Sequence, residues 1–143
     1  MTRSINIETN PSDSIISFPD LLLTSGWHHP GGRIHVFIQD DIDKPSDQQI
    51  YPIEEWGLVK EIMRKKFEHG LPIGLGLSWH TPSAFIEIRM YPDGKVAFFL
   101  SDSSPTIRNS GGFTDFTWFL ERILPPITPM TTILKITCDD DAY

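Results

Sequence analysis

Residues 83–102 constrain the fold of this chain more than any other segment. They predict two β-strands joined by the turn Pro92-Asp93-Gly94, because proline and aspartate suit the first turn positions and glycine tolerates a positive φ. Side chains alternate along a strand, so a three-residue loop places Met90 opposite Val96 and makes one face of the pair wholly apolar. The other face is mixed. We therefore expect a half-buried antiparallel hairpin with a fixed register.

The remaining pattern predicts further strands and two helices around this hairpin. Alternating apolar residues indicate strands at 33–39, 73–80 and 131–138, and a short edge strand that contains Ile5 and Ile7. A weaker strand signal covers 14–18, one helical turn is expected at 19–23, and the loop 40–49 is expected to lack regular structure. Apolar residues three or four positions apart predict helices at 53–67 and 113–124, the second capped by Thr114 and stopped by Pro125-Pro126. The expected class is α+β, with a mainly antiparallel sheet packed by two amphipathic helices.

Length and composition favour one domain that spans residues 1–143. The single cysteine, Cys138, excludes an internal disulfide and favours a reducing compartment. Neither a signal-peptide core nor an apolar run of membrane-spanning length is present in the sequence. We therefore expect a soluble cytoplasmic protein that does not bind a membrane.

The net charge of −7 disfavours binding to nucleic acid and favours a basic partner. Nine of the 19 acidic residues fall in two segments. The first acidic group consists of Asp40, Asp41, Asp43, Asp47, Glu54 and Glu55, and it surrounds Tyr51. The second acidic group consists of Asp139, Asp140 and Asp141. The alternative for either group is a solvated loop without a function.

The sequence contains no recognised set of catalytic residues. His28, His29 and His35 are close in sequence, but they lack the spacing of a metal site. Cys138 precedes three aspartates, whose charge raises a thiol pKa and weakens the nucleophile. We therefore expect neither an enzyme nor a bound metal or other cofactor.

The profile of a small acidic domain resembles the immunity proteins that bacteria pair with secreted toxins. The order of elements from residue 33 to residue 138 is similar to the subset from contact-dependent growth-inhibition systems, whose fold is akin to the Whirly single-stranded-DNA binders. The features that match are the strand 33–39, the acidic loop after it, the hairpin 83–102 and the helix 113–124. The chain lacks the Lys-Gly-Lys signature and the basic sheet face of the DNA-binding Whirly proteins.

This resemblance implies that the partner is a cognate toxin, a cationic nuclease domain, whose phosphate-binding site an acidic surface would cover. The first acidic group is then the expected interface, with Tyr51 as its apolar anchor, and the second acidic group is the second choice. One alternative is a Whirly-like module that stacks single-stranded nucleic acid on Phe37, Phe85 and Phe99, although these rings are expected beneath the helices. A small metal-dependent hydrolase built on the histidines is the other alternative.

Overall fold

The described residues form a seven-stranded antiparallel sheet and three α-helices, as predicted for the α+β class. The computed structural model describes residues 3–10, 15–40, 43, 45, 47–80, 83–101, 105–107 and 112–140. The strands are β1 (Arg3–Thr9), β2 (Arg33–Ile38), β3 (Asp47–Pro52), β4 (Ile73–Trp79), β5 (Ala84–Met90), β6 (Lys95–Leu100) and β7 (Ile133–Asp140). The helices are α1 (Phe18–Leu23), α2 (Trp56–Glu68) and α3 (Phe116–Ile127). The strand order across the sheet is β3-β2-β4-β5-β6-β1-β7.

The hairpin of β5 and β6 has the predicted register. Met90 pairs with Val96, and the Tyr91 N–H donates to the Lys95 carbonyl at 2.9 Å. Gly94 adopts a φ of 92° at the last turn position, a conformation that a side chain would strain. Local turn chemistry therefore fixes which side chains of this hairpin face the core.

Apolar side chains continue across the sheet on the face that the helices cover. One cross-strand row consists of Ile7, Val96, Met90, Ile73 and Ile38. A parallel row consists of Ile5, Phe98, Ile88, Leu75 and Val36. All ten are buried, and they form one cluster with side chains from the three helices. Each fully buried side chain of this kind contributes roughly 1.5–3 kcal/mol, so this layer dominates the stability of the fold.

The opposite face of the sheet carries Phe37, Phe85 and Phe99, and the described helices pack on the other side. The expectation that these rings lie beneath the helices is wrong, because alternation directs them away from the isoleucine-rich rows. Glycines in β4 make room for them. A Cβ on Gly76 would lie 3.0 Å from the Phe85 ring, so the small face of β4 accommodates aromatic rings and not a helix.

Several boundaries differ from the sequence-based expectation. β1 lies between β6 and β7, so it is not an edge strand. Residues Ile15–Ser17 form a 3₁₀ turn that leads into α1, where a strand was predicted. β3 begins at Asp47, inside the segment that was expected to be irregular. Three α-helices are present in the described part of the chain, because the single turn expected at 19–23 belongs to the six-residue helix α1.

The two long helices also differ in detail. Ile53 precedes α2 in a 3₁₀ turn and is exposed, so it is not part of the core stripe. Asp115, and not Thr114, caps α3 by accepting a hydrogen bond from the Trp118 N–H at 3.1 Å. α3 continues through Pro125-Pro126 to Ile127. None of the helices among the described residues is long and apolar enough to cross a membrane.

The two sheet faces predict different costs for two adjacent phenylalanines in β6. Phe98→Ala should lower the free energy of unfolding by about 3–5 kcal/mol, because it opens a cavity in the covered layer. Phe99→Ala should cost substantially less, because Phe99 lies on the face without helices. Urea denaturation of both variants measures the difference. Equal losses would contradict the assignment of the two faces.

Candidate protein-binding surface

Strand β3 divides the first acidic group into two parts. β3 pairs with β2 so that Asp47 lies beside Ile38 at one end and Pro52 lies beside Arg33 at the other. At about 3.3 Å per residue, the two ends of this strand are roughly 17 Å apart. The acidic residues before the strand and those after it therefore lie at opposite ends of the β2–β3 pair.

The acidic residues before β3 and at its first position lie in solvent. Asp40, Asp43 and Asp47 are exposed, and the Asp40 carboxylate pairs with the Lys66 ammonium at 3.6 Å. Asp41 lies outside the described residues. Because Lys66 offsets one of these charges, this part of the first acidic group presents a weaker negative surface than its composition indicates.

The acidic residues after β3 lie beside exposed apolar side chains. Ile50 is 51% exposed, Ile53 is 46% exposed and Leu58 is 55% exposed. Glu54 and Glu55 are exposed and lie in the 3₁₀ turn that leads into α2, and Leu58 lies on the first turn of that helix. We call these five residues the edge patch.

A groove runs along the edge patch. It has a volume of about 250 Å³ and contains Ile50, Ile53 and Glu54 together with Arg33. Arg33 is exposed and places one positive charge in the groove together with the Glu54 carboxylate. The groove therefore combines apolar side chains with one charge of each sign, Arg33 and Glu54.

Tyr51 lies next to the edge patch, but it is not one of the exposed apolar groups. Its side chain is half-buried and packs against the core, because position 51 faces the helix-covered side of the sheet. The Tyr51 hydroxyl donates to Gln49 Oε1 at 2.6 Å. Tyr51, which the sequence predicts as the anchor, therefore holds β3 against the core. The exposed apolar groups nearby are Ile50 and Ile53.

The second acidic group lies at the other edge of the sheet. β7 and β3 are the two edge strands, six strand spacings of about 4.8 Å apart, or roughly 29 Å. Asp139 is exposed and accepts from Asn6 Nδ2 at 3.3 Å. Asp140 is partly buried, pairs with Arg3 at 3.4 Å and accepts from the Thr114 N–H at 2.9 Å. Asp141 lies outside the described residues.

Asp140 therefore has a structural role, since it ties β7 to β1 and to the segment before α3. The structure does not bring the two acidic groups together, and it separates the parts of the first group. Within the described part of the first acidic group, Glu54 and Glu55 are the residues that adjoin an exposed apolar side chain, Ile53.

The histidines are dispersed over the molecule. His28 and His80 stack with their ring centroids 4.3 Å apart, whereas His29 packs edge-on against Trp56 at 4.8 Å. His35 Nδ1 lies 3.1 Å from Gln48 Nε2, and His69 Nδ1 lies 2.6 Å from the Lys65 carbonyl oxygen. In the part of the chain that the structure describes, no three His, Cys, Asp or Glu residues come together as a metal site. The hydrolase alternative has no supporting geometry there.

Cys138 lies on the edge strand β7 and is exposed. Burial, and to a lesser extent the charge of Asp139, raises the pKa of its thiol. The direction agrees with the prediction from the neighbouring aspartates, although partial burial is the larger cause.

The face without helices is the second surface of interest. Arg89 lies between two rings, with its guanidinium carbon 5.8 Å from the Phe37 centroid and 5.5 Å from the Phe99 centroid. Arg89 also forms an ion pair with Glu87. A cavity of about 490 Å³ adjoins Phe37, Arg89 and Tyr91. The aromatic groups are those that base stacking requires, but the guanidinium charge is already balanced by a carboxylate.

Comparison of the chain with known protein families, with curated proteins and with solved structures found no match.

Sequence reasoning missed the apolar half of the edge patch. The apolar periodicity that predicts a helix at 53–67 places Ile53 on the face toward the core, and it gives Ile50 and Leu58 no role. One signal was available: Ile50 and Ile53 are large apolar residues inside the most acidic segment of the chain, where an unpaired loop would contain polar residues.

The lowered pKa of His29 predicts that the free energy of unfolding depends on pH. Burial, with a smaller contribution from the charge of His35, lowers the pKa of His29 below 6.5, and Asp20 opposes the shift. The unfolded chain therefore takes up the proton first. Stability from this site is fully present above about pH 6.5 and is lost as the pH falls.

We expect His29→Gln to reduce the slope of unfolding free energy against pH between about pH 6.5 and pH 5, where carboxylates titrate little. Chemical denaturation across this range compares the variant with the natural chain. Parallel curves for the two proteins would show that His29 is not the group responsible.

Proposed function

We propose that this chain is an immunity protein that binds a cognate toxin, a cationic nuclease domain, and covers its active site or substrate-binding surface. The observation that carries the proposal is the edge patch, where three exposed apolar side chains border two exposed carboxylates at the edge of the sheet. Exposed apolar groups with a polar rim are typical of protein–protein interfaces. The proposed site of action is the cytoplasm, and no reaction takes place on the chain.

The two kinds of residue in the edge patch have different tasks. Ile50 and Ile53 supply affinity, because contact with a partner removes their apolar surface from water. Glu54 and Glu55 supply association rate and selectivity, because a nuclease holds phosphates with positive charge and is attracted to carboxylates. The net charge of −7 extends this attraction beyond the contact.

The elements behind the resemblance to immunity proteins lend further support. The strand at 33–39, the hairpin at 83–102 and the helix at 113–124 correspond to β2, to β5 with β6, and to α3. The acidic loop expected at 40–49 is shorter in the structure, because strand β3 begins at Asp47. This support concerns the fold, and the edge patch supplies the argument for binding.

Charge reversal of Glu54→Lys with Glu55→Lys tests the proposal. The probe is the C-terminal domain of the secreted protein that we expect to be encoded immediately upstream. Association should slow by about tenfold or more at low ionic strength, and its salt dependence should flatten, because long-range attraction is lost. Stopped-flow or surface-plasmon measurements give both quantities.

The matched control is Glu68→Lys with Glu121→Lys, which changes the net charge equally at two exposed helical sites away from the edge patch. A second comparison is Asp40→Lys with Asp43→Lys, at the other end of β3. We expect smaller effects from both pairs. Equal effects of all three pairs on the association rate would show that net charge alone, and not the edge patch, determines this rate. If the upstream domain did not bind the natural chain, the proposal would be overturned.

The nucleic-acid alternative predicts that the face without helices binds single-stranded DNA or RNA, whereas our proposal predicts that it does not. Phe37, Phe85 and Phe99 offer stacking surfaces there, but Glu87 offsets Arg89, and phosphate binding needs unbalanced cations. We expect no measurable affinity for single-stranded DNA or RNA oligonucleotides at low salt in fluorescence anisotropy. Binding that weakens steeply with salt and is lost in Phe99→Ala would favour the alternative.

A further inference from the structure

The outer edge of β7 is open to solvent. β7 ends the sheet, and among the described strands only β1 pairs with it. Leu134 is 64% exposed and Ile136 is 38% exposed. An exposed apolar edge strand is a template for pairing with another chain, and monomeric proteins usually protect such an edge with proline, charge or bulges. β7 contains no proline, its one register shift against β1 lies at Leu134, and its pairing is regular from Lys135 to Asp140.

The side chains of β7 alternate between the two faces of the sheet. Lys135, Thr137 and Asp139 lie on the face without helices, because they pair with Glu8, Asn6 and Ser4 of β1. Ile136 and Cys138 lie on the covered face, beside Ile7 and Ile5. Each apolar row of the sheet therefore ends at β7 in an exposed side chain.

We propose that two copies of this chain associate through antiparallel pairing of their β7 strands, in a register centred on Thr137. Lys135 of each copy then faces Asp139 of the other, and Ile136 of each copy faces Cys138 of the other. Opposite charges placed directly across two strands stabilise the pair. The two sheets become one continuous sheet, and the exposed ends of the apolar rows cover each other.

The charges on β7 select this register. A two-fold axis perpendicular to the sheet keeps the helix-covered faces on the same side, so the axis must pass beside a residue and not between two. Centring on Lys135 or Asp139 brings identical charges together. Centring on Ile136 sets Lys135 opposite Thr137, and centring on Cys138 sets Asp139 opposite Thr137. Among the described residues, only the Thr137 register forms two ion pairs between Lys135 and Asp139.

This association is independent of the proposed toxin-binding surface. The edge patch belongs to β3 and the start of α2, at the other edge of the sheet. A dimer formed through β7 therefore leaves both edge patches exposed. Failure to bind a toxin and failure to dimerise are separate results.

Sedimentation velocity over a wide range of protein concentration tests the dimer. The natural chain should shift reversibly from monomer to dimer as its concentration rises. Lys135→Asp should raise the dimer dissociation constant by about tenfold or more, because each ion pair becomes a repulsion. Lys135→Asp combined with Asp139→Lys should restore association, because the pairs reform with reversed polarity.

At protein concentrations where the natural chain is monomeric, urea denaturation of each variant should show a cooperative transition with a midpoint close to that of the natural chain, which separates the loss of association from a loss of folding. A chain that stays monomeric at every concentration overturns the proposal. A double variant that associates no better than Lys135→Asp also overturns it.

Cysteine cross-linking tests the register. Thr137→Cys in a Cys138→Ser background places two thiols across the axis, at a Cα separation of about 4.5–5.5 Å that permits a disulfide. Mild oxidation should yield a covalent dimer. Ile136→Cys with Cys138→Ser, and the natural chain with Cys138 alone, should remain uncross-linked. Dimers trapped by either control and not by the Thr137 variant would overturn the register.

Discussion

The apolar rows that cross the sheet are the interaction on which the rest of the structure depends. Ile7 lies beside Val96, Val96 beside Met90, Met90 beside Ile73, and Ile73 beside Ile38, so five strands share one continuous row. Burial of such side chains contributes roughly 1.5–3 kcal/mol each, against about 0–1 kcal/mol for an exposed ion pair. The surface carboxylates therefore add little to the free energy of unfolding, so their positions can serve binding without a loss of stability.

Both candidate surfaces lie where these rows end. Beyond Ile38 the row reaches Asp47, and beyond Val36 it reaches Gln49, so β3 is held mainly by backbone hydrogen bonds and by Tyr51. At the other edge the rows end in exposed residues of β7. An antiparallel sheet covered by helices on one face leaves two edges and one face for binding, and this chain has apolar or aromatic groups at all three.

What the sequence predicts well is local. The β5–β6 hairpin follows from its turn residues and alternation, and so does its register. β3 carries no such signal, because Asp47 and Gln49 occupy the covered face where a strand pattern needs apolar residues. The interior position of β1 depends on β7, which follows it by more than a hundred residues. The side of the sheet on which the helices pack also depends on contacts between residues far apart in sequence. That side determines whether Phe37, Phe85 and Phe99 lie in the core or at the surface.

The distribution of tryptophan has a spectroscopic consequence. Trp27, Trp79 and Trp118 meet edge to face on the helix-covered side, with centroids 5.2–6.3 Å apart. Trp56 stands apart from them at the start of α2, bonded to Asp20 at 3.2 Å and following Glu55 directly. Emission from the three clustered indoles reports whether α3 is docked on the sheet. Trp56 directly follows the edge patch residue Glu55, so contact at the β3 edge and undocking of α3 act on different indoles.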